Sequence, residues 1–207
     1  MKIDVQSLDT FNRLAHEGAE EATRSLTQLT GIEATVNVTR ISLVDRADVG
    51  EELRGTAFAG VQFGFEGALA GETVLVFEEE RVEDIIEALM PGGCADESMA
   101  QSGVEEIGNI MMSGFIDGWA NVLQQSVDHT PPRLVHDMGQ AIIDPLAAQL
   151  GRHQRHAFII DATMRTDEVD FESEIHALPD EQELRAALDE LVVDRADQLE
   201  ADAEQIF

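Results

Sequence analysis

Four polar residues have the types and spacing for chemistry: Ser102, Glu106, Asn109 and Ser113. They fall at i, i+4, i+7 and i+11, which aligns them on one face of a helix predicted over 96–125. The apolar set Val104, Ile107, Met111 and Phe115 lies on another face. A carboxylate can pair with a cationic side chain across an interface. A carboxamide offers both a donor and an acceptor, with which it can orient a water. Projected together from a rigid helix, the two could exclude bulk solvent from a labile acyl phosphate and aim one water along its P–O bond. That work is positioning and needs no nucleophile from the helper. By spacing alone the two read better as ordinary exposed helix residues.

The elements that must carry this stripe are legible in outline. Residues 7–29 read as a helix through Leu8, Phe11, Leu14, Ala15, Ala22, Leu26 and Leu29, closed by Gly31. Ile32 to Leu43 alternates as a strand, and 48–54 is a polar connection. Apolar runs at 56–65 and 68–77, joined at Glu66-Gly67, read as a hairpin. An amphipathic helix over 78–90 stops at Pro91. The second half repeats the order. The long helix over 96–125 is followed by Pro131-Pro132 and a strand from Leu134, then a loop around Asp144-Pro145. Strands at 156–164 and 169–177 precede a last helix from Asp180, with Leu184, Ala187, Leu188 and Leu191 spaced for burial.

The expectation is an α/β (α+β) protein, one domain over 1–207 built from two pseudo-repeats, 1–94 and 95–207. Each repeat is helix-strand-strand-strand-helix, the strands joining one largely antiparallel sheet under covering helices. No Gly-x-Gly-x-x-Gly opens a helix after a strand, which excludes a dinucleotide-binding Rossmann unit.

Composition narrows the partners. Hydrophobic residues at 43% over 207 positions supply a real core. The formal net charge is -29, with Lys+Arg 13 against Asp+Glu 42. Such a surface repels nucleic acid and anionic lipid, which need clustered cations. The acidity is spread along the chain, as on a surface kept soluble in molar salt, where the Debye length is about 3 Å. It suggests a salt-rich cytoplasm. No apolar stretch of membrane-spanning length and no signal segment is visible, so a cytoplasmic location is expected.

The segment Ser102-Gly-Val-Glu-Glu106-Ile-Gly-Asn109-Ile-Met-Met closely resembles the active helix of the CheC and CheX family of chemotaxis phosphatases. That family's motif is Asp or Ser, three residues, Glu, two residues, Asn, twenty-two residues, Pro. Ser102, Glu106, Asn109 and Pro132 occupy every fixed position. The resemblance implies an enzyme that hydrolyses the aspartyl phosphate of a CheY-like response regulator. Glu106 would pair with a lysine beside the phosphorylation site, and Asn109 would hold the attacking water in line. Ser102 and Pro132 would be structural, the serine near the helix start and the proline at strand entry. The reaction's Mg2+ would belong to the regulator, leaving this chain with no cofactor or metal ligand of its own.

CheC proteins commonly carry the motif twice. Aligning the first helix through Ser25, Gly31 and Ile32-Glu33 puts Phe11 where Glu is expected, Leu14 where Asn is expected and Asn37 at the proline. This first site reads as degenerate, its two apolar residues packing or forming a docking patch. The family also implies CheD as a modulating partner, with the last helix, about 180–193, as its guessed surface. The alternative is a CheD-binding adaptor of the same fold with weak or no phosphatase activity. A flagellar-switch component is a third reading, disfavoured because no added C-terminal module is visible.

Other residues read as structural. His153 and His156, near His136 in sequence, lack the acidic partner a metal site needs. The single Cys94 sits in a turn and excludes an internal disulfide. Glu78-Glu79-Glu80 suits a helix N-terminus. Trp119 belongs to the core, and Met111 and Met112, being adjacent, are not expected both to face inward.

Overall fold

The computed structural model describes residues 5–45, 48–51, 53–92, 96–149, 156–167, 170–180 and 182–187. Cys94, His153 and the last helix beyond Ala187 lie outside them. Helix α1 spans Val5–Thr30 and α3 spans Glu97–Leu123. Asp96 caps α3, accepting a hydrogen bond from the Met99 amide at 2.9 Å, and Gln124 ends it in the left-handed region at φ 54°. Between the two long helices run β1 (Ala34–Asp45), β2 (Ala57–Gly67), β3 (Gly71–Glu78) and the short α2 (Val82–Leu89). After α3 come β4 (Val127–His129), β5 (Arg133–Met138), α4 (Gly139–Gln149), β6 (His156–Thr166) and β7 (Asp170–Pro179). A last helical turn covers 182–187.

The seven strands form one antiparallel sheet in the order β1-β6-β7-β3-β2-β4, with β5 also on β2. Read from either edge this order is the same if β1 is equated with β4 and β5, β6 with β2, and β7 with β3. Each half lends its first strand to the other half's hairpin, β1 to β6 and β4–β5 to β2. The exchange makes one sheet of the two halves.

Both sheet faces are covered. On one lie α1 and α3, over Ala59, Val61, Phe63 and Phe65 of β2 and the matching residues of β6 and β7. On the other, α4 seats Ile142, Ile143 and Leu146 against Phe58, Val74, Val76 and Leu178, joined by Val49 and Leu53 of the first-half connection. The expected loop at Asp144-Pro145 is therefore part of α4, with Pro145 inside the helix. Proline costs one backbone hydrogen bond there. The packing of three large aliphatic side chains on the sheet offsets that loss. The expected polar connection over 48–54 likewise buries Val49 and Leu53 completely or nearly so.

The two long helices cross at near backbone contact. A Cβ at Gly118 would lie 2.5 Å from Gly18 Cα, and one at Gly114 would lie 2.5 Å from Ala22 Cα. Pressed against α1 on one side and the sheet on another, α3 buries Met111 and Met112 alike, both at 0% exposure. The expectation that only one faces inward assumed a helix with a single covered side. Gly118→Val must push the helices apart and should cost roughly 1–3 kcal/mol. The buried Trp119, the only tryptophan in the chain, reports this directly as a lower midpoint in fluorescence-monitored unfolding.

Candidate functional site

With two sides covered, α3 shows solvent one stripe, and the motif lies on it. Ser102 and Glu106 are exposed, and Asn109 and Ser113 are half-buried. Among the described residues Ser102, Glu106 and Asn109 have no side-chain hydrogen bond or ion pair, so carboxylate and carboxamide stand free for a partner. Ser102 is not the helix cap; Asp96 has that role.

Pro132 joins this stripe through chain geometry. From Asn109 to the end of α3 the helix advances about 21 Å at about 1.5 Å per residue. The extended return from Ser126 to Pro132 covers about 20 Å at roughly 3.3 Å per residue. The twenty-two-residue gap thus brings the proline back to the level of Asn109 on the neighbouring edge strands, which pack against α3. The link is pinned to the sheet, since Thr130 N donates to Gly64 O at 2.9 Å and Gly64 N to Thr130 Oγ1 at 2.9 Å. Pro132 then leads into β5, paired to β2 from Arg133 onward.

The stripe holds two residues that sequence reasoning missed. His129 Nε2 lies 3.1 Å from Ser113 Oγ, its Nδ1 lies 3.0 Å from Thr130 O, and its ring meets Phe63 edge-on at 5.9 Å. Asp117, one turn past Ser113, is exposed overall, but partial desolvation of its carboxyl and then Glu21 of α1 push it above the usual range, with His129 opposing. For Asp117 the signal was available, since it continues the i+4 spacing from Ser113; for His129 it was not, because no local pattern marks β4.

Phe11 and Leu14 are core residues, at 7% and 6% exposure, and the Phe11 ring stacks on Phe158 at 4.1 Å between centroids. Packing, not docking, is their use. Matching the helix ends, Thr30 with Leu123, and the strands that follow, Ala34 with Val127, pairs Ile107, Met111 and Phe115 with the buried Leu14, Gly18 and Ala22. Glu106 and Asn109 then fall on Arg13 and His16, both exposed. The acid-x-x-Asn pair is lost there, and Asp9 and Thr39 stand at the positions of Ser102 and Pro132. His136 bonds the Glu79 carboxylate at 2.9 Å, and His156 opens β6. Among the described residues no three His, Cys, Asp or Glu side chains are placed to hold a metal, and no helix is long and apolar enough to cross a membrane.

Known proteins resemble this chain in sequence and in architecture. The model of the CheC-like family matches residues 99–136, which contain Ser102, Glu106, Asn109 and Pro132. A Halobacterium salinarum protein named "Putative CheY-P phosphatase CheC1" is 34% identical over 186 residues, 86% of this chain and 92% of that one. Among solved structures, FliY of Thermotoga maritima superposes with a TM-score of 0.76 at 14% identity, over 93% of this chain and 98% of that one. A chain of the CheX-CheY-BeF3-Mg+2 complex of Borrelia burgdorferi gives 0.51 at 13% identity, over 80% of this chain and 97% of that one. At these identities the two structures establish the fold alone.

A raised pKa at Asp117 has a defined sign. The native chain holds that proton more tightly than the unfolded one, so its contribution favours folding at low pH and is lost as pH rises through the native value. Asp117→Asn should therefore raise the unfolding midpoint at neutral pH. The gain should vanish below the ordinary aspartate value of 3.8, as urea denaturation across pH would show.

Proposed function

This chain belongs to the CheC-like family, and from that premise we propose that it hydrolyses the aspartyl phosphate of a CheY-like response regulator through Glu106 and Asn109. The observation that carries the reading is the motif's placement. Its carboxylate and carboxamide occupy the one open stripe of a helix held rigid on two sides, and neither is spent on an internal partner.

The pair does its work across an interface. Glu106 pairs with the lysine beside the partner's phosphoaspartate and fixes the register of docking. Asn109 enters beside the phosphoryl group and hydrogen-bonds one water. That water attacks phosphorus opposite the aspartyl oxygen, the P–O bond breaks, and the carboxylate and inorganic phosphate leave. The regulator's own Mg2+ offsets the charge on the phosphoryl oxygens. Fixing one water and excluding the rest is worth several kcal/mol without a covalent intermediate.

CheD is the modulating partner that the family resemblance supports. The surface guessed for it, about 180–193, is described only over 180 and 182–187, where Leu184 and Ala187 are buried. Co-elution with CheD on a sizing column in high salt tests that partnership separately from catalysis.

The assay mixes the chain with its phosphorylated regulator in high salt and follows phosphate release. Glu106→Ala and Asn109→Ala should each slow the accelerated reaction about a hundredfold, about 2.7 kcal/mol of transition-state stabilisation. His16→Ala should keep most of the rate, because Arg13 and His16, at the positions of Glu106 and Asn109, supply neither a carboxylate nor a carboxamide. A double Glu106→Ala, Asn109→Ala chain as active as the wild type would remove the assignment.

A further inference from the structure

We propose that the site continues one turn beyond Asn109 to Ser113 and His129, a positioning pair that sets which way the Asn109 carboxamide faces and that works with the imidazole neutral. The proposal deepens the phosphatase reading and rests on it.

Hydrogen-bond valence carries the argument. The Thr130 carbonyl oxygen can only accept, so the His129 nitrogen 3.0 Å from it, Nδ1, carries a proton. In a neutral ring Nε2 is then a bare acceptor, and the Ser113 hydroxyl 3.1 Å away must be the donor. A helical serine commonly turns its proton back to the carbonyl four residues earlier. Here that proton is drawn across to β4. The hydroxyl is left with lone pairs alone for the stripe, where it can accept but not donate.

Asn109 is the next stripe residue, one turn away and within side-chain reach, and its carboxamide has no other partner among the described residues. When the regulator closes over the stripe, the amide NH2 turns to the Ser113 oxygen. The amide oxygen then faces the phosphoryl group. A water that donates to this oxygen keeps a lone pair for phosphorus. Protonating His129 reverses each bond. Nε2–H donates into Ser113, the hydroxyl proton turns to the Asn109 oxygen, and the NH2 faces outward. It would then bind the lone pair that attack requires.

The ring is exposed, and its sheet-side contacts orient it. Phe63 abuts it at 84°, and Thr130 is tied to β2 through both its amide and its hydroxyl. The charges facing it are the Asp117 carboxylate of α3, coupled to His129, and Glu21 of α1 behind it. Asp128 points to the opposite side of β4 by strand alternation, as does Glu66, its partner on β2. No cation of the described residues is bonded to the ring.

The test measures accelerated dephosphorylation between about pH 5.5 and 8, the window in which imidazoles change charge, with the regulator's own loss of phosphate subtracted at each pH. The wild type should slow about tenfold on the acid side. Gln in place of His129 can still accept from Ser113 and does not titrate. His129→Gln should therefore keep at least about half of the rate at pH 8 and lose the acid-side fall. Ser113→Ala should lower kcat severalfold at pH 8, leave KM for the regulator unchanged and flatten the profile. An acid-side fall retained in His129→Gln overturns the proposal, as does a Ser113→Ala chain matching the wild type at every pH. Full activity in Asn109→Ala, run alongside, overturns the phosphatase reading itself.

Discussion

The near-contact of two helix backbones, Gly118 on Gly18 and Gly114 on Ala22, governs the rest of the molecule. It removes the side-chain layer that ordinarily separates crossing helices. Both α1 and α3 can then lie flat on the same sheet face. With α1 beside it and Val61 beneath Gly108, α3 has no choice about which residues meet water. One stripe remains. A rigid exposed stripe is what a protein acting on another protein's active site needs, because loop ordering would otherwise be charged against binding.

The sheet completes the site from the other side. Because each half donates its first strand to the other's hairpin, β4 and β5 are held on β2 beside α3 rather than near the second-half hairpin. The return of the chain along that edge places Pro132 level with Asn109 and His129 against Ser113. The long fixed gap in the motif is thus a length condition. One helix segment out and one extended segment back must cover the same distance. The same return pairs a titratable ring with the serine that ends the motif's stripe, joining the chemistry to β4.

Much of this was readable from residue order. Helical spacing located both long helices, and alternation with turn residues located the hairpins. The stripe of Ser102, Glu106, Asn109 and Ser113 needed only the helical period. What escaped depends on tertiary contact. The α4 helix contains Pro145, and local rules stop a helix there, while its stability comes from Ile142, Ile143 and Leu146 on a sheet face distant in sequence. Met111 and Met112 are both buried because α3 is covered twice, which periodicity for a one-sided helix does not anticipate. Phe11 and Leu14 were aligned to the motif through residues at the far end of α1. The helix ends instead match two residues away and put Arg13 and His16 on the exposed face. His129 was invisible because its role depends on the strand return.

The central claim is that the open stripe of α3, and no other surface, receives the phosphorylated regulator. The most direct measurement is an NMR titration of labelled chain with the cognate regulator carrying beryllofluoride and Mg2+ as the phosphoryl mimic. The account predicts that the Asn109 side-chain NH2 shifts most, with the amides of Ser102, Glu106, Ser113 and the β4–β5 link, while those of α4 stay in place. Shifts gathered on α4 or on the opposite sheet face, with the Asn109 NH2 unmoved, would contradict it.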